Sequence, residues 1–128
     1  MTRYLLDTNI FIYYFNGDAV VQPLFADILA GNHEGYYCPL TWVELLCYPA
    51  LTPREANQIR AFLRRLSSVT LTETILDSAA QIRQSYRLKL PDAAIAACAF
   101  VQGYTLVTRN IADFYRIMGL ALYNPFNP

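Results

Sequence analysis

Four acidic residues are the strongest candidates for chemistry in this sequence: Asp7, Glu44, Asp92 and Asp113. Asp7 directly follows a strand-like apolar run, and Glu44 lies early in the helix predicted after the second strand. Asp92 opens an Ala-rich helix, and Asp113 follows the fourth predicted strand by a short turn. Sites in open α/β sheets form beyond the carboxyl ends of the strands. We therefore expect these carboxylates to converge on one cleft.

Carboxylates that share a cleft repel one another unless protons or cations are present. Two of them roughly 4 Å apart repel by about 4 kcal/mol at an effective dielectric constant of about 20. Hard oxygen ligands in this number suit Mg²⁺ or Mn²⁺. Such ions generate a water-derived nucleophile and stabilise charge on the leaving oxygen of a phosphodiester. The acidic residues therefore favour metal-dependent phosphoryl transfer.

Each acidic residue also has an ordinary structural explanation when it is taken alone. Asp7 has the position of a helix cap, and Asp92 lies in a first helical turn, where the helix dipole favours a carboxylate. Asp113 is three residues after Asn110, the spacing of a cap residue and its partner. Glu44 is harder to dismiss, because it interrupts the apolar sequence TWVELL. The functional interpretation therefore depends on the four residues together.

The length and composition predict one globular domain spanning residues 1–128. The hydrophobic fraction is 55% and the charged fraction only 16%, which favours a compact core over disorder. Ten basic and ten acidic residues give a net charge of zero, without the basic excess that is typical of proteins binding duplex DNA. The sequence has neither a secretory signal nor an apolar run long enough to span a membrane. We therefore expect a cytoplasmic protein with no membrane contact.

The sequence lacks the residues that other classes of enzyme require. The one histidine, His33, lies in a polar loop with no nucleophile beside it, which argues against serine or cysteine hydrolases. Neither a nucleotide-binding P-loop nor a dinucleotide-binding glycine motif is present. The three cysteines have no zinc-site spacing and are expected to be reduced and mostly buried. Any metal should thus be bound by oxygen.

Strands and helices alternate along the chain. The apolar patterns predict five strands, at residues 3–6, 35–38, 69–71, 104–107 and 121–123. They predict seven helices, at residues 8–15, 23–30, 40–48, 53–66, from 73 to at least 82, 91–101 and 112–118. Thr52 and Glu55 have the spacing of a capping box at the start of the fourth helix. Alternating elements of this kind indicate βαβ units around a mostly parallel sheet.

With these elements in place, the sequence resembles the PIN domain family, and particularly its VapC-type toxins. The resemblance runs over nearly the whole chain and rests on four ordered motifs. These are LLDTNI (5–10), TWVELL (41–46), LPDAAIAA (90–97) and LVTRNIADF (106–114). A lone Asp-Thr-Asn would be poor support, whereas four motifs in order are highly specific.

The resemblance implies a three-layer α/β/α fold and Mg²⁺- or Mn²⁺-dependent endoribonuclease activity. Carried over by position, the acidic site consists of Asp7, Glu44, Asp92 and Asp113, with Thr8 supporting it through its hydroxyl. Related sequences often have Asp where this one has Asn110, so Asn110 either joins the metal shell or only caps the last helix. The resemblance also implies a homodimer and an antitoxin partner encoded beside the toxin.

Residues that contact the substrate are less clear from the sequence. Arg83 and Arg87 are one helical turn apart, with Lys89 close by, and Arg109 lies in the closing acidic motif. We expect some of these to bind phosphates of single-stranded or structured RNA, although a solvated helix face explains Arg83 and Arg87 equally well. Two alternatives to a toxin nuclease also stay open: a catalytically inactive PIN-like binding module, and a housekeeping RNA-processing nuclease with no antitoxin.

Overall fold

The five strands form one parallel sheet in the computed structural model, which describes residues 1–128. The strands are β1 (Arg3–Leu6), β2 (Glu34–Tyr37), β3 (Ser67–Ser68), β4 (Thr105–Val107) and β5 (Leu122–Tyr123). Their order across the sheet is β3-β2-β1-β4-β5, and every neighbouring pair is parallel. β1 is the central strand. The chain adds β2 and β3 on one side of it and then β4 and β5 on the other, so the strand order reverses between β1 and β4.

Seven helices cover the two faces of this sheet. They are α1 (Thr8–Phe15), α2 (Gln22–Leu29), α3 (Pro39–Leu46), α4 (Pro53–Leu63), α5 (Glu73–Tyr86), α6 (Leu90–Gln102) and α7 (Ile111–Phe114). Successive side chains of a strand point to opposite faces. Leu5 and Leu106 accordingly pack with the buried residues of α5 and α6, whereas Leu6 and Val107 pack with those of α1 and α2. The predicted three-layer α/β/α sandwich is confirmed.

The buried helix α6 forms the centre of the core cluster that contains Leu5 and Leu106. Residues 93–99 are all buried, and most of them are alanines, so α6 can lie close to the sheet and to α5. Gly103 ends the helix in the left-handed conformation at φ 71°, which glycine adopts without steric strain. Close packing of α6 fixes the position of its first turn, where Asp92 lies.

Local sequence signals account for the boundaries of several helices. The capping box of α4 is present: the Glu55 N–H donates to the Thr52 hydroxyl at 3.1 Å, and the Thr52 N–H donates to the Glu55 carboxylate at 3.0 Å. Thr72 caps α5 by accepting the Ile75 N–H at 3.3 Å. The predicted helices therefore begin close to where the sequence places them.

Three elements end at least three residues earlier than predicted, whereas the other boundaries shift by no more than two residues. The third strand is Ser67–Ser68 instead of residues 69–71, because it pairs with Tyr36 and Tyr37 of β2, and α4 ends at Leu63 to leave room for it. Val69 adds one further hydrogen bond to Tyr37 before the chain turns. The last helix is a single turn that ends at Phe114, after which the chain continues in turns closed by shorter-range bonds. None of the helices combines the length and apolar character needed to cross a membrane.

Candidate active site

The candidate site lies where the strand order reverses. Asp7 follows β1, and its N–H donates to the Val107 carbonyl at the end of β4, with a distance of 3.0 Å. Clefts in open α/β sheets form at such reversal points, outside the carboxyl ends of the strands, because the following helices turn to opposite faces. The fold thus provides a cleft next to Asp7.

All four predicted acidic residues line this cleft, which has a volume of about 460 Å³. Asp7 comes from the end of β1, Glu44 from α3, Asp92 from the first turn of α6 and Asp113 from α7. The other residues that line it are Asn9, Tyr86, Arg87, Leu88, Lys89, Pro91, Asn110, Ala112 and Arg116. The structure therefore brings together the four carboxylates that sequence spacing proposed.

Asp7 is the most constrained of the four. Its residue is only 5% exposed, and each carboxylate oxygen accepts a hydrogen bond. The Thr8 N–H donates to Oδ1, and the Thr108 hydroxyl donates to Oδ2, both at 2.8 Å. The Thr108 oxygen also accepts the Asn110 N–H at 3.0 Å, so the loop after β4 is tied to the carboxylate after β1. These bonds fix the orientation of Asp7.

A chain of hydroxyl groups supports Glu44. The Thr8 hydroxyl donates to Oε1 of Glu44 at 2.7 Å and lies 2.9 Å from the hydroxyl of Thr41, which is fully buried. An ionised carboxylate only accepts hydrogen bonds, so the single Thr8 proton goes to Glu44 and Thr41 donates to Thr8. The predicted supporting contact of Thr8 is thus made to Glu44 through its hydroxyl, and to Asp7 through its backbone.

Burial and mutual repulsion disfavour the charged forms of two carboxyls. Burial is the main cause that raises the pKa of Asp7 to about 6, the negative charges of Asp92 and Glu44 raise it further, and the Thr108 hydrogen bond opposes the shift. The pKa of Asp92 is also raised, first by burial and then by the charges of Glu44 and Asp113. A cation in the cleft would offset both effects.

The side chains of the cleft suit a metal ion that keeps several of its waters better than an ion whose ligands all come from the protein. No three acidic, cysteine or histidine side chains lie close enough together to enclose a metal ion directly. Mg²⁺ usually retains several waters and takes only one or two carboxylates directly. The free cysteines do not contribute, since Cys38 and Cys98 are buried in the core and Cys47 lies outside the cleft lining. An oxygen site for Mg²⁺ or Mn²⁺ is consistent with these residues.

Asn110 contacts Asp113 instead of capping the last helix. Its side-chain amide donates to Oδ2 of Asp113, and no capping hydrogen bond from the Asn110 side chain to α7 is present. Both residues line the cleft. The capping hydrogen bond considered for Asn110 is thus not formed, and its amide instead orients an acidic residue of the cleft; a place in the metal shell stays a prediction.

The three arginines proposed for RNA contact lie in different surroundings. Arg87 lines the cleft. Arg83 donates to the Leu88 carbonyl at 3.0 Å and supports the α5–α6 loop. The Arg109 guanidinium lies over the Phe126 ring, 4.1 Å from its centroid, and outside the cleft lining. Their roles in RNA binding stay predictions, with Arg87 in the most favourable position.

Sequence reasoning missed three polar residues of the site: Thr41, Thr108 and Arg116. Thr41 and Thr108 both belong to the acidic motifs, and their buried hydroxyls could have been suspected, because a buried hydroxyl needs a partner. Lys89, which the sequence places close to Arg87, lines the cleft as well. Nothing in the spacing of Arg116 indicates the cleft, since it follows α7 in an irregular segment.

Comparison with known proteins agrees with this architecture. Residues 4–120 match the PIN domain family. A chain of a toxin–antitoxin complex from Klebsiella pneumoniae is 30% identical, with a TM-score of 0.79 over 95% of this chain and 97% of that one. VapBC2 from Rickettsia felis, bound to a promoter DNA fragment, is 25% identical, with a TM-score of 0.80 over 96% and 98% of the two chains.

A third structure, DNA-bound VapBC from Salmonella typhimurium, has the same fold at 23% identity, with a TM-score of 0.84 over 98% of this chain and 99% of that one. No curated protein matches the sequence significantly. The family match covers nearly the whole chain and includes every acidic residue of the cleft. The chain therefore belongs to the PIN domain family.

Proposed function

We propose that this protein is a divalent-metal-dependent endoribonuclease. The observation that carries the proposal is the convergence of Asp7, Glu44, Asp92 and Asp113, from four distant segments, on one cleft where the strand order reverses. Ionised carboxylates in this cleft are costly without a cation, because burial first, and the neighbouring negative charges in addition, raise the pKa values of Asp7 and Asp92. RNA as the substrate follows from the motifs that the sequence shares with VapC-type toxins.

In this proposal the four carboxylates hold Mg²⁺ or Mn²⁺, directly or through water. A bound ion of this kind activates water and offsets charge on a leaving phosphodiester oxygen. The Thr8 and Thr108 hydroxyls keep Glu44 and Asp7 oriented, as the short hydrogen bonds indicate. Such pre-orientation avoids reorganising the site when substrate binds.

Cleavage of a labelled single-stranded RNA tests the proposal. We expect cutting with Mg²⁺ or Mn²⁺, none with chelator, and a loss of about a hundredfold or more in Asp92→Asn, since the supports of a metal site alone are worth up to about that factor. Asp77→Asn is the matched control, because Asp77 is an exposed α5 residue outside the cleft.

Equal cutting by wild type and Asp92→Asn would show that the activity comes from elsewhere. Cutting of single-stranded DNA of the same sequence, but not of RNA, would show that the substrate is DNA and not RNA. If wild type cuts neither and Mn²⁺ does not bind to it, the inactive binding module becomes the better interpretation.

We further propose that the chain is the toxin of a toxin–antitoxin pair. Its similarity to chains of the Klebsiella and Rickettsia complexes, over nearly their whole lengths, supports this role. Induced expression in a bacterial host is then expected to arrest growth, with Asp92→Asn removing the arrest and Asp77→Asn keeping it. An active nuclease that leaves growth unchanged would favour the RNA-processing alternative. The homodimer and the cytoplasmic location stay predictions.

A further inference from the structure

Three basic residues share the cleft with the carboxylates: Arg87, Lys89 and Arg116. All three are exposed. Arg87 and Lys89 belong to the loop between α5 and α6, whereas Arg116 belongs to the turns after α7. The only salt bridge in the chain joins Arg3 to Glu34, so none of the three cations is paired with a carboxylate of the cleft. They are therefore available to an external anion.

Arg87 has a backbone conformation that is unusual for a residue with a side chain. Arg87 ends α5 with φ 56° and ψ 33°, and it is the only non-glycine residue with positive φ. Glycine is the usual residue at such a position, because a side chain there crowds the backbone. The corresponding residue at the end of α6 is indeed a glycine, Gly103. A strained residue that lies in a cleft is a sound starting point for a functional hypothesis.

The neighbouring contacts do not explain why this residue is an arginine. The Arg87 N–H donates to the Arg83 carbonyl, as a glycine N–H would, and Arg83 itself binds the Leu88 carbonyl to hold the loop. The guanidinium of Arg87 forms no hydrogen bond or salt bridge within the chain. The local fold thus uses the backbone of Arg87 and leaves its side chain free in the cleft.

We propose that Arg87 binds a phosphate of the RNA backbone next to the acidic cluster, with Lys89 and Arg116 binding neighbouring phosphates. The inference rests on the proposed nuclease function and names the residues that hold its substrate. The phosphates of an RNA strand in the cleft are repelled by the four carboxylates, and cations beside the cleft offset that repulsion. A guanidinium binds phosphate through two parallel hydrogen bonds, which also fixes the position of the strand. Contacts of this kind are independent of base sequence.

Arg87→Gly tests the inference, because glycine is the residue that suits this backbone. We expect the melting temperature to be equal to or above that of wild type, since the strain is relieved. RNA affinity should fall about tenfold, as for loss of a charge-assisted contact. The slope of log affinity against log salt should decrease by about 0.7, the value for one phosphate contact with a single strand. A merely structural role predicts none of the RNA effects.

The binding titration uses fluorescence anisotropy of labelled single-stranded RNA with Mg²⁺, in an Asp7→Asn background that prevents cutting. Cleavage kinetics are measured separately in the otherwise wild-type protein, where Arg87→Gly should raise KM more than it lowers kcat. Arg65→Ala is the matched control, since Arg65 is an exposed arginine outside the cleft lining. Arg87→Lys should retain part of the affinity, because the charge stays and the paired hydrogen bonds are lost.

Unchanged affinity and salt slope in Arg87→Gly would overturn the phosphate contact, as would absence of RNA binding by the parent protein. If wild type and Arg87→Gly cleave RNA equally well and with the same KM, the phosphate contact of Arg87 is ruled out and the nuclease function is retained. Conversely, RNA binding that depends on Arg87 in a protein that cuts no RNA would keep the contact and remove the proposed activity.

Discussion

Replacing Asp7 with asparagine is expected to reduce RNA cleavage by about a thousandfold without unfolding the protein. A carboxylate that holds a divalent ion contributes several kcal/mol to charge stabilisation in the transition state, and about 4 kcal/mol corresponds to that factor. Asparagine has nearly the same shape. Its amide oxygen can accept the Thr8 N–H, and its amide NH₂ can donate to the Thr108 hydroxyl, which accepts as well as donates.

The measurement is the single-turnover cleavage rate at saturating Mg²⁺, together with the melting temperature of each variant. Asp77→Asn again provides the control for an acidic residue outside the cleft. An Asp7→Asn protein that melts normally and cleaves at the wild-type rate would exclude Asp7 from the site. Recovery of its activity at high Mn²⁺ would instead indicate that the substitution weakens ion binding.

The stability of the metal-free protein is expected to fall as the pH rises from 4 to 7, by about 2 kcal/mol through Asp7. Its pKa is about 6 in the folded state and about 3.9 in an unfolded chain. Between these values the native protein keeps a proton that the unfolded chain has lost, so the free energy of unfolding decreases with rising pH. Above about pH 7 both states are ionised, and the cost stays constant.

Urea unfolding in chelator at several pH values checks this expectation, with Asp7→Asn as the reference. Other groups titrate in the same range: Asp92 adds to the decrease, whereas Glu34 and Glu55, whose pKa values are lowered by hydrogen bonds, oppose it. The difference between wild type and Asp7→Asn isolates the contribution of Asp7. Parallel pH profiles for the two proteins would show that Asp7 is not destabilised by its burial.

Divalent ions should reverse the loss of stability at neutral pH. An ion that binds only the native state at a hundred times its Kd stabilises that state by about 2.7 kcal/mol. Wild type should therefore gain stability with Mg²⁺ or Mn²⁺ at pH 7, and Asp7→Asn should gain less. Equal gains in both proteins would place the ion away from Asp7.

Much of the site could be predicted from the sequence, because its acidic residues follow local elements. The run of residues 3–6 ends at Asp7, and the apolar residues 93–99 require a buried helix that begins near Asp92. The carboxyl ends of parallel strands meet at one edge of a sheet. Acidic residues that follow strands must then lie at that edge, whatever the exact strand boundaries are.

Strand boundaries were less predictable at the edges of the sheet. The β-branched and apolar residues 69–71 suggested a strand, but β3 pairs through Ser67 and Ser68, whose side chains are exposed. Pairing there depends on the register against β2, which apolar patterning at an edge does not specify strongly. The error moves the edge strand by two residues and leaves the cleft unchanged.

The sequence by itself determined the fold class, the helix starts and the acidic residues, since periodicity and capping are properties of neighbouring residues. Only the tertiary structure decided which groups surround those acids. Thr108 reaches Asp7 across 101 positions because β4 lies beside β1. Arg83 and Arg87 have the spacing of one helix face, yet α5 ends between them, so Arg83 holds the loop and Arg87 enters the cleft. Such contacts depend on strand order and on where a helix ends in space, which the spacing of residues along the chain does not specify.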